Sequence, residues 1–194
     1  MITKSEIEKN YSLAIKKLNT SFGLNPEKLK ELVPDLEYGT FSTYMSSGMS
    51  YQGSLIKKSI ELTSIALNIN NSLGEDVMVD HNSIVKVCML QHISKALKII
   101  PNPDNYAKEA YIFADKKTTL KVGAHSALIA MKCGVDFTDV EFEAITSIDN
   151  PETDKQAKMF SNTLSVIVRC ANDILSCTSR EQYKIDQENK NNSQ

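Results

Sequence analysis

The sequence predicts an all-α fold of about six to eight helices, and three observations carry that prediction. Apolar residues recur at helical spacing through most of the chain. Helix-start signals repeat: Thr3 with Glu6 three residues on, Asn25 followed by Pro26, and Thr138 with Glu141. Strand-compatible residues are confined to one stretch, "AYIF" and "TTLKV", where a single short β-hairpin is an alternative to helix.

The elements follow in order. "TKSEIEKNYSLAIKKLN" puts Ile7, Tyr11, Ala14, Ile15 and Leu18 on one face. "NPEKLKELV" is a short helix that Pro34 ends. "EYGTFSTYMSSGMSYQGS" lacks helical period and reads as a long loop, a kind that is often functional. "GSLIKKSIELTSIALNINNSLG" is a long amphipathic helix closed by Gly74. "DHNSIVKVCMLQHISKALKII" is the next helix, capped by Asp80 or Asn82 and ended by Pro101 and Pro103. "GAHSALIAMKCG" is short and bounded by glycines. "FTDVEFEAITSIDNP" ends at Asn150-Pro151, and "DKQAKMFSNTLSVIVRCANDILSC" is a long helix with a core stripe over 159–168. "SREQYKIDQENKNNSQ" is polar enough to predict disorder.

Bulk properties exclude several classes of function. Net charge is -2, so no global field draws the chain to nucleic acid or anionic lipid, although Lys57, Lys58, Lys116, Lys117 and Lys121 leave room for local basic patches. No apolar run approaches the roughly 18 residues of a membrane span, and the amphipathic N-terminus lacks a secretory h-region. The four cysteines, Cys88, Cys133, Cys170 and Cys177, show no zinc spacing and read as reduced core residues of a cytoplasmic chain.

The stretch that asks for chemistry is "VCMLQHISKAL", an apolar helical run interrupted by Gln91 and His92. Together with its neighbours it resembles the HD-domain superfamily, an all-α fold of metal-dependent phosphohydrolases, over roughly residues 38 to 178. The likeness is nearest to a compact subgroup of gut bacteria and their phages. Where that subgroup reads GGLLEHSLNV, this chain has "QGSLIKKSIEL"; where it reads VALLHDLCK, the chain has "VCMLQHISK". GHGEKSVIML corresponds to "VGAHSALIAM", LTDEEALAIRWH to "FTDVEFEAITSI", and LHxADM to "VRCANDI". The helices match and the metal ligands mostly do not. The ligand positions of the family fall on Lys58, Gln91, His92, Gly123 (with His125 two residues on), Ile148 and Asn172 (with Asp173 beside it).

Each replacement weakens a divalent site in the same direction. Protonated lysine has no lone pair for a metal, and asparagine keeps an oxygen but no charge. His92 removes a unit of negative charge beside the cation, whose role in such a site is to lower the pKa of bound water. The resemblance therefore implies a degenerate HD domain with no catalytic residue, metal or cofactor, flanked by an N-terminal helical segment (1–37) and a polar tail (179–194). The function it implies is an interaction or assembly module, in the cytoplasm of a bacterial host or as a structural component of a phage particle. Its partners are other protein chains, in a homo-oligomer or a larger assembly, with neither membrane nor nucleic acid involved.

Alternatives stay open at this level. A rearranged set of His92, His125 and Asp173 would make the chain a metal-dependent nucleotide phosphohydrolase. A vacated pocket with Lys58 on a phosphate would make it a nucleotide sensor. Otherwise Gln91 and His92 hydrogen-bond within the core, facing Lys58 and Asn172, and Lys58 reaches solvent along its apolar stem. Ser94 with Lys95, or Ser126 with His125, lacks an orienting third group for nucleophilic catalysis. Tyr44, Met45, Met49 and Tyr51 either form a partner-binding surface or fold over the old site.

Overall fold

The computed structural model describes residues 2–104, 106–114, 120–148 and 162–192. In chain order the helices are α1 (Lys4–Phe22), α2 (Pro26–Leu32), α3 (Ser54–Asn71), α4 (His81–Leu90), α5 (Lys95–Lys98), α6 (Val122–Lys132), α7 (Asp139–Ser147) and α8 (Thr163–Asn191). Strands β1 (Ile99–Pro101) and β2 (Tyr111–Phe113) lie between α5 and α6 as an antiparallel hairpin, with Ile100 opposite Ile112. The fold is an all-α bundle with one two-stranded hairpin.

Local signals set the helix starts. Thr3 and Thr138 each close a full capping box, with Glu6 and Glu141 answering the cap N–H. Asn25 accepts from Lys28 N ahead of Pro26, Asp80 accepts from Ser83 N, and Asn162 accepts from Ser165 N.

α3 is the centre of the bundle and packs on α4 and α8; α7 then contacts α4, α6 and α8. Leu55, Leu62, Ile84, Leu90, Ile145 and Leu164 are all but fully buried where these helices meet. The N-terminal segment from residue 2 to 37 shares this core. Ala14, Ile15 and Leu18 of α1 and Leu29 of α2 belong to the same buried cluster, and Asn25 N donates to Cys133 O at 2.8 Å, fastening the α1–α2 corner to the end of α6.

Several expectations are corrected. The helix expected to run from Asp80 through Ile100 stops at Leu90, and residues 91–94 form turns before the single helical turn of α5. The hairpin exists, but "AYIF" pairs with Ile99–Pro101 rather than with "TTLKV", of which residues 118 and 119 lie outside the described residues. The polar tail continues α8 to Asn191, supported by Gln182 donating to Asp186 and Lys184 pairing with Glu181. Cys88 and Cys133 are core residues as expected, whereas Cys170 and Cys177 lie on the exposed side of α8. Asn150-Pro151, Lys116, Lys117 and positions 159–161 of the apolar stripe fall outside the described residues. The rest of that stripe, Leu164, Ile167 and Val168, is core.

One buried ion pair locks α4 to α7. Lys86 Nζ lies 2.8 Å from Glu141 Oε2, which also accepts from Thr138 N, while Glu141 Oε1 accepts from Ser83 Oγ. Lys86 also donates to Asp136 O and sits between the rings of Phe22 and Phe137, at 5.5 and 5.9 Å from their centroids. Burial pushes the Glu141 carboxyl up, but its bonds to Lys86, Thr138 and Ser83 outweigh that and hold it below the usual range. Removing one partner strands the other charge in the core. Glu141→Ala should cost about 3–5 kcal/mol in urea denaturation. The paired substitution Lys86→Met with Glu141→Leu should cost much less.

Candidate functional site

The interruption in the apolar run proves to be a meeting point. Gln91 is fully buried and His92 is 6% exposed. From this turn each polar residue reaches a different element. His92 Nε2 lies 3.1 Å from Asn172 Oδ1 on α8, and Asn172 Nδ2 donates to Gln91 Oε1 at 3.3 Å. Ser94 N donates to Ser126 Oγ at 3.0 Å and Ser94 Oγ donates to Val122 O at 2.9 Å, both on α6. Lys95 Nζ donates to Phe41 O at 3.0 Å and lies over the Phe41 ring, whose edge meets the His92 ring at 4.6 Å between centroids.

Hydrogen-bond chemistry fixes the protonation of this cluster. Asn172 Nδ2 also donates to Val168 O at 2.9 Å, and a carbonyl can only accept. Asn172 Oδ1 therefore faces His92, and His92 Nε2 carries the hydrogen. Nδ1 keeps its lone pair and has no partner, and Gln91 Nε2 likewise finds no acceptor. Burial holds the His92 imidazole well below its usual pKa, Lys95 adds repulsion, and the bond to Asn172 opposes both. His92 is a neutral, donating ring.

The other positions singled out in the sequence divide between this cluster and places apart from it. Gly123 and His125 lie in the first turns of α6, joined to the cluster through Ser94 and Ser126. Burial, Lys98 and Lys132 lower the His125 pKa. Ile148 caps the end of α7 and packs on the core. Asp173 is exposed, so it is not gathered with His92 and His125. Among the described residues no three His, Cys, Asp or Glu side chains come together as a metal-binding group. The two serines serve as ties between chain segments, each hydroxyl already engaged. Lys58 pairs with Glu61 at 2.6 Å, and both line a surface groove together with Thr178, Ser179 and Gln182. Those α8 residues lie beyond Asn172 by roughly 9–15 Å of helix rise.

The loop between α2 and α3 divides into a buried part and an exposed part. Its first part covers the cluster through Phe41, and Ser54 Oγ clasps it by accepting from Phe41 N and donating to Met49 O. Met49 is therefore core, a correction to its expected place on a contact surface, because the clasp turns it inward. Tyr44 and Met45 are exposed as expected, at 67% and 47%. Tyr51 is half-buried; burial, Glu61 and Glu6 push its phenol up to about 12.

Behind Met45 lies the groove, about 720 Å³ in volume. One wall is the first turns of α3, with Lys57, Lys58 and Glu61; another is α8 from Thr178 to Lys190; Ile2 and Glu6 close the end. Gly48 makes the close approach possible. Its φ is 68°, and a Cβ there would come within 2.2 Å of Ser179 O. Sequence reasoning missed Phe41, Ser179 and Gln182 as site residues, since only the tertiary fold brings them to their partners. Comparison with protein-family models, curated proteins and solved structures finds no match to this chain.

Two measurements follow. Gly48→Ala adds both a clash and a left-handed residue, so it should cost about 1–3 kcal/mol and loosen the loop, read by hydrogen exchange at 44–51. His92 binds its proton more weakly when folded than the roughly 6.5 of the unfolded chain. Its contribution is full above that pH and drains as pH falls below it, because the unfolded state takes the proton first. The thermal midpoint should therefore drop from pH 7 to pH 5. His92→Gln should flatten that slope, and adding His125→Gln should flatten it further.

Proposed function

We propose that the chain is a catalytically inactive member of the HD-type fold that works as a protein-interaction or assembly module. The observation that carries this reading is hydrogen-bond closure at Asn172. The residues at the positions where the resemblance expects metal ligands bond to one another instead, with His92 as a donor through the nitrogen that meets Asn172. Ile148 has no donor atom, and Lys58 is committed to Glu61.

What supports interaction is the convergence of three segments on one groove: the exposed loop with Tyr44 and Met45, the start of α1 and the last turns of α8. Large, stiff side chains at such a place offer contact area at modest entropic cost. No helix among the described residues is long and apolar enough to cross a membrane. The bacterial cytoplasm, or a phage particle assembled there, is the setting this proposal takes from the resemblance.

The test is a purified sample assayed in three ways. Metal content after dialysis should be far below one per chain, and nucleoside triphosphates should survive incubation with magnesium or manganese. Light scattering should report an oligomer, or a complex with added partner, that weakens when residues 180–192 are removed. A monodisperse monomer that hydrolyses nucleotides with a metal bound about 2.0–2.2 Å from His92 would overturn the proposal.

A further inference from the structure

We propose that the outward face of α8 is a dimer surface, which packs against the same face of a second copy of this chain running antiparallel. This rests on the assembly reading above and names its partner and its contact. Leu164, Ile167, Val168, Ala171 and Leu175 turn into the core. Val166, Ile174 and Ile185 turn away from it, 46%, 42% and 49% exposed, and Cys170 and Cys177 are exposed between them. With Glu181 included, these outward positions stand four, four, three, four and four residues apart. At 3.6 residues per turn they form one stripe about 100° wide. A surface helix needs one apolar face, and this one has two. Beyond Ser179 no residue of α8 is buried, so its last turns stand clear of the core.

The stripe matches itself. Its spacing reads the same from either end, about a midpoint between Leu175 and Ser176. A twofold axis there sets Val166 against Ile185 of the second copy and Ile174 against Cys177 of the second copy. Each pair forms twice, as an isologous contact requires. Cys170 meets Glu181 of the second copy, and Glu181 is answered within its own copy by Lys184. The contact covers roughly 30 Å of helix on each copy, at the small end of specific interfaces, so the dimer exchanges and depends on concentration.

Charge selects this pairing. Asp173 and Arg180 are exposed along the same edge of the stripe. Asp173 makes no ion pair or hydrogen bond to any described residue. Among the described residues Arg180 donates only within its own helix, to Ser176 O and Cys177 Sγ. The two charges stand roughly 10 Å apart along the helix, too far to meet. The twofold axis brings like edges together. It leaves Asp173 about 3 Å, measured along the axis, from Arg180 of the second copy, and does so twice. A parallel copy puts the opposite edge there instead, where Thr178 and Gln182 carry no charge.

The experiment is sedimentation velocity on the reduced full chain, from micromolar to millimolar concentration. The chain should pass from monomer to dimer as concentration rises. Asp173→Arg should weaken the dimer on the order of tenfold, and adding Arg180→Asp should restore it. Ile174→Lys should remove the dimer and leave the helical circular dichroism unchanged. A short bis-maleimide then reads the direction of the two helices. Cys88 and Cys133 are buried, so the exposed thiols of α8 are the ones that react. In the antiparallel pair the two Cys177 residues are offset by about 4.5 Å along the axis and the two Cys170 residues by about 16 Å. Cys170→Ser should therefore still cross-link, and Cys177→Ser should not. A monomer at every concentration, a dimer indifferent to Asp173→Arg or Ile174→Lys, no rescue by Arg180→Asp, or cross-linking through Cys170 alone would overturn the inference. Each of those results leaves the assembly reading standing, whereas metal-dependent hydrolysis would sink that reading.

Discussion

The structure depends on what it costs to bury an amide and an imidazole side by side. Left without partners, Gln91 and His92 would each lose about 1–3 kcal/mol, a large share of the 5–15 kcal/mol that holds a domain together. Asn172 offsets part of that loss because an amide both donates and accepts, while Gln91 Nε2 and His92 Nδ1 stay without a partner. One side chain receives the His92 proton and donates to both Gln91 and the α8 backbone. This need specifies how α4 meets α8, since sliding either helix by one residue would break every bond of the cluster. The remaining residues of the turn then reach α6 through Ser94 and the loop through Lys95. Five consecutive residues thus set the positions of three other parts of the chain.

The Lys86–Glu141 pair does for α4 and α7 what Asn172 does for α4 and α8, by different means. A buried ion pair is a poor source of net stability, because desolvation consumes most of the Coulombic gain. Its value is orientation. Glu141 closes its own capping box with the same carboxylate that meets Lys86, so the start of α7 and the register of α4 are tied to one group. The polar interior of this protein decides which arrangement forms, while Leu55, Leu62, Ile84, Leu90 and Leu164 supply the burial that makes the arrangement stable.

Much of this was legible in the sequence, and the misses have physical causes. Capping boxes at Thr3 and Thr138 depend on side chains three residues apart, so sequence alone reveals them. The resemblance put Gln91 and His92 against both Asn172 and Lys58; the bonds to Asn172 are there, about eighty positions along the chain, while Lys58 pairs with Glu61 at the groove. The break at Leu90 was not readable: helical periodicity continues to Ile100, and tertiary bonds from Ser94 and Lys95 draw the chain out of the helix. The tail failed for the opposite reason. Composition argues correctly that residues 180–191 could not fold alone, but they extend a helix already nucleated within the core. Each added residue then needs only propagation, which Glu, Gln and Lys favour.

The cluster and the groove make different demands on the chain, and α8 meets both with one face. Its first half puts Asn172 into the buried contact with Gln91 and His92; its second half carries Ser179, Gln182 and Lys190 to the wall of the surface groove. Between them the Gly48–Ser179 contact holds the loop against the helix. On the proposed reading, exchanging a carboxylate for Asn172 changes more than charge. A carboxylate at that position could accept from His92, and from Gln91 with its amide turned round, but could not donate to Val168 O. The amide does, and it ties His92, Gln91 and the α8 backbone together without a charge. That tie would let the scaffold be kept for its shape while the surface beside it evolves to meet a partner.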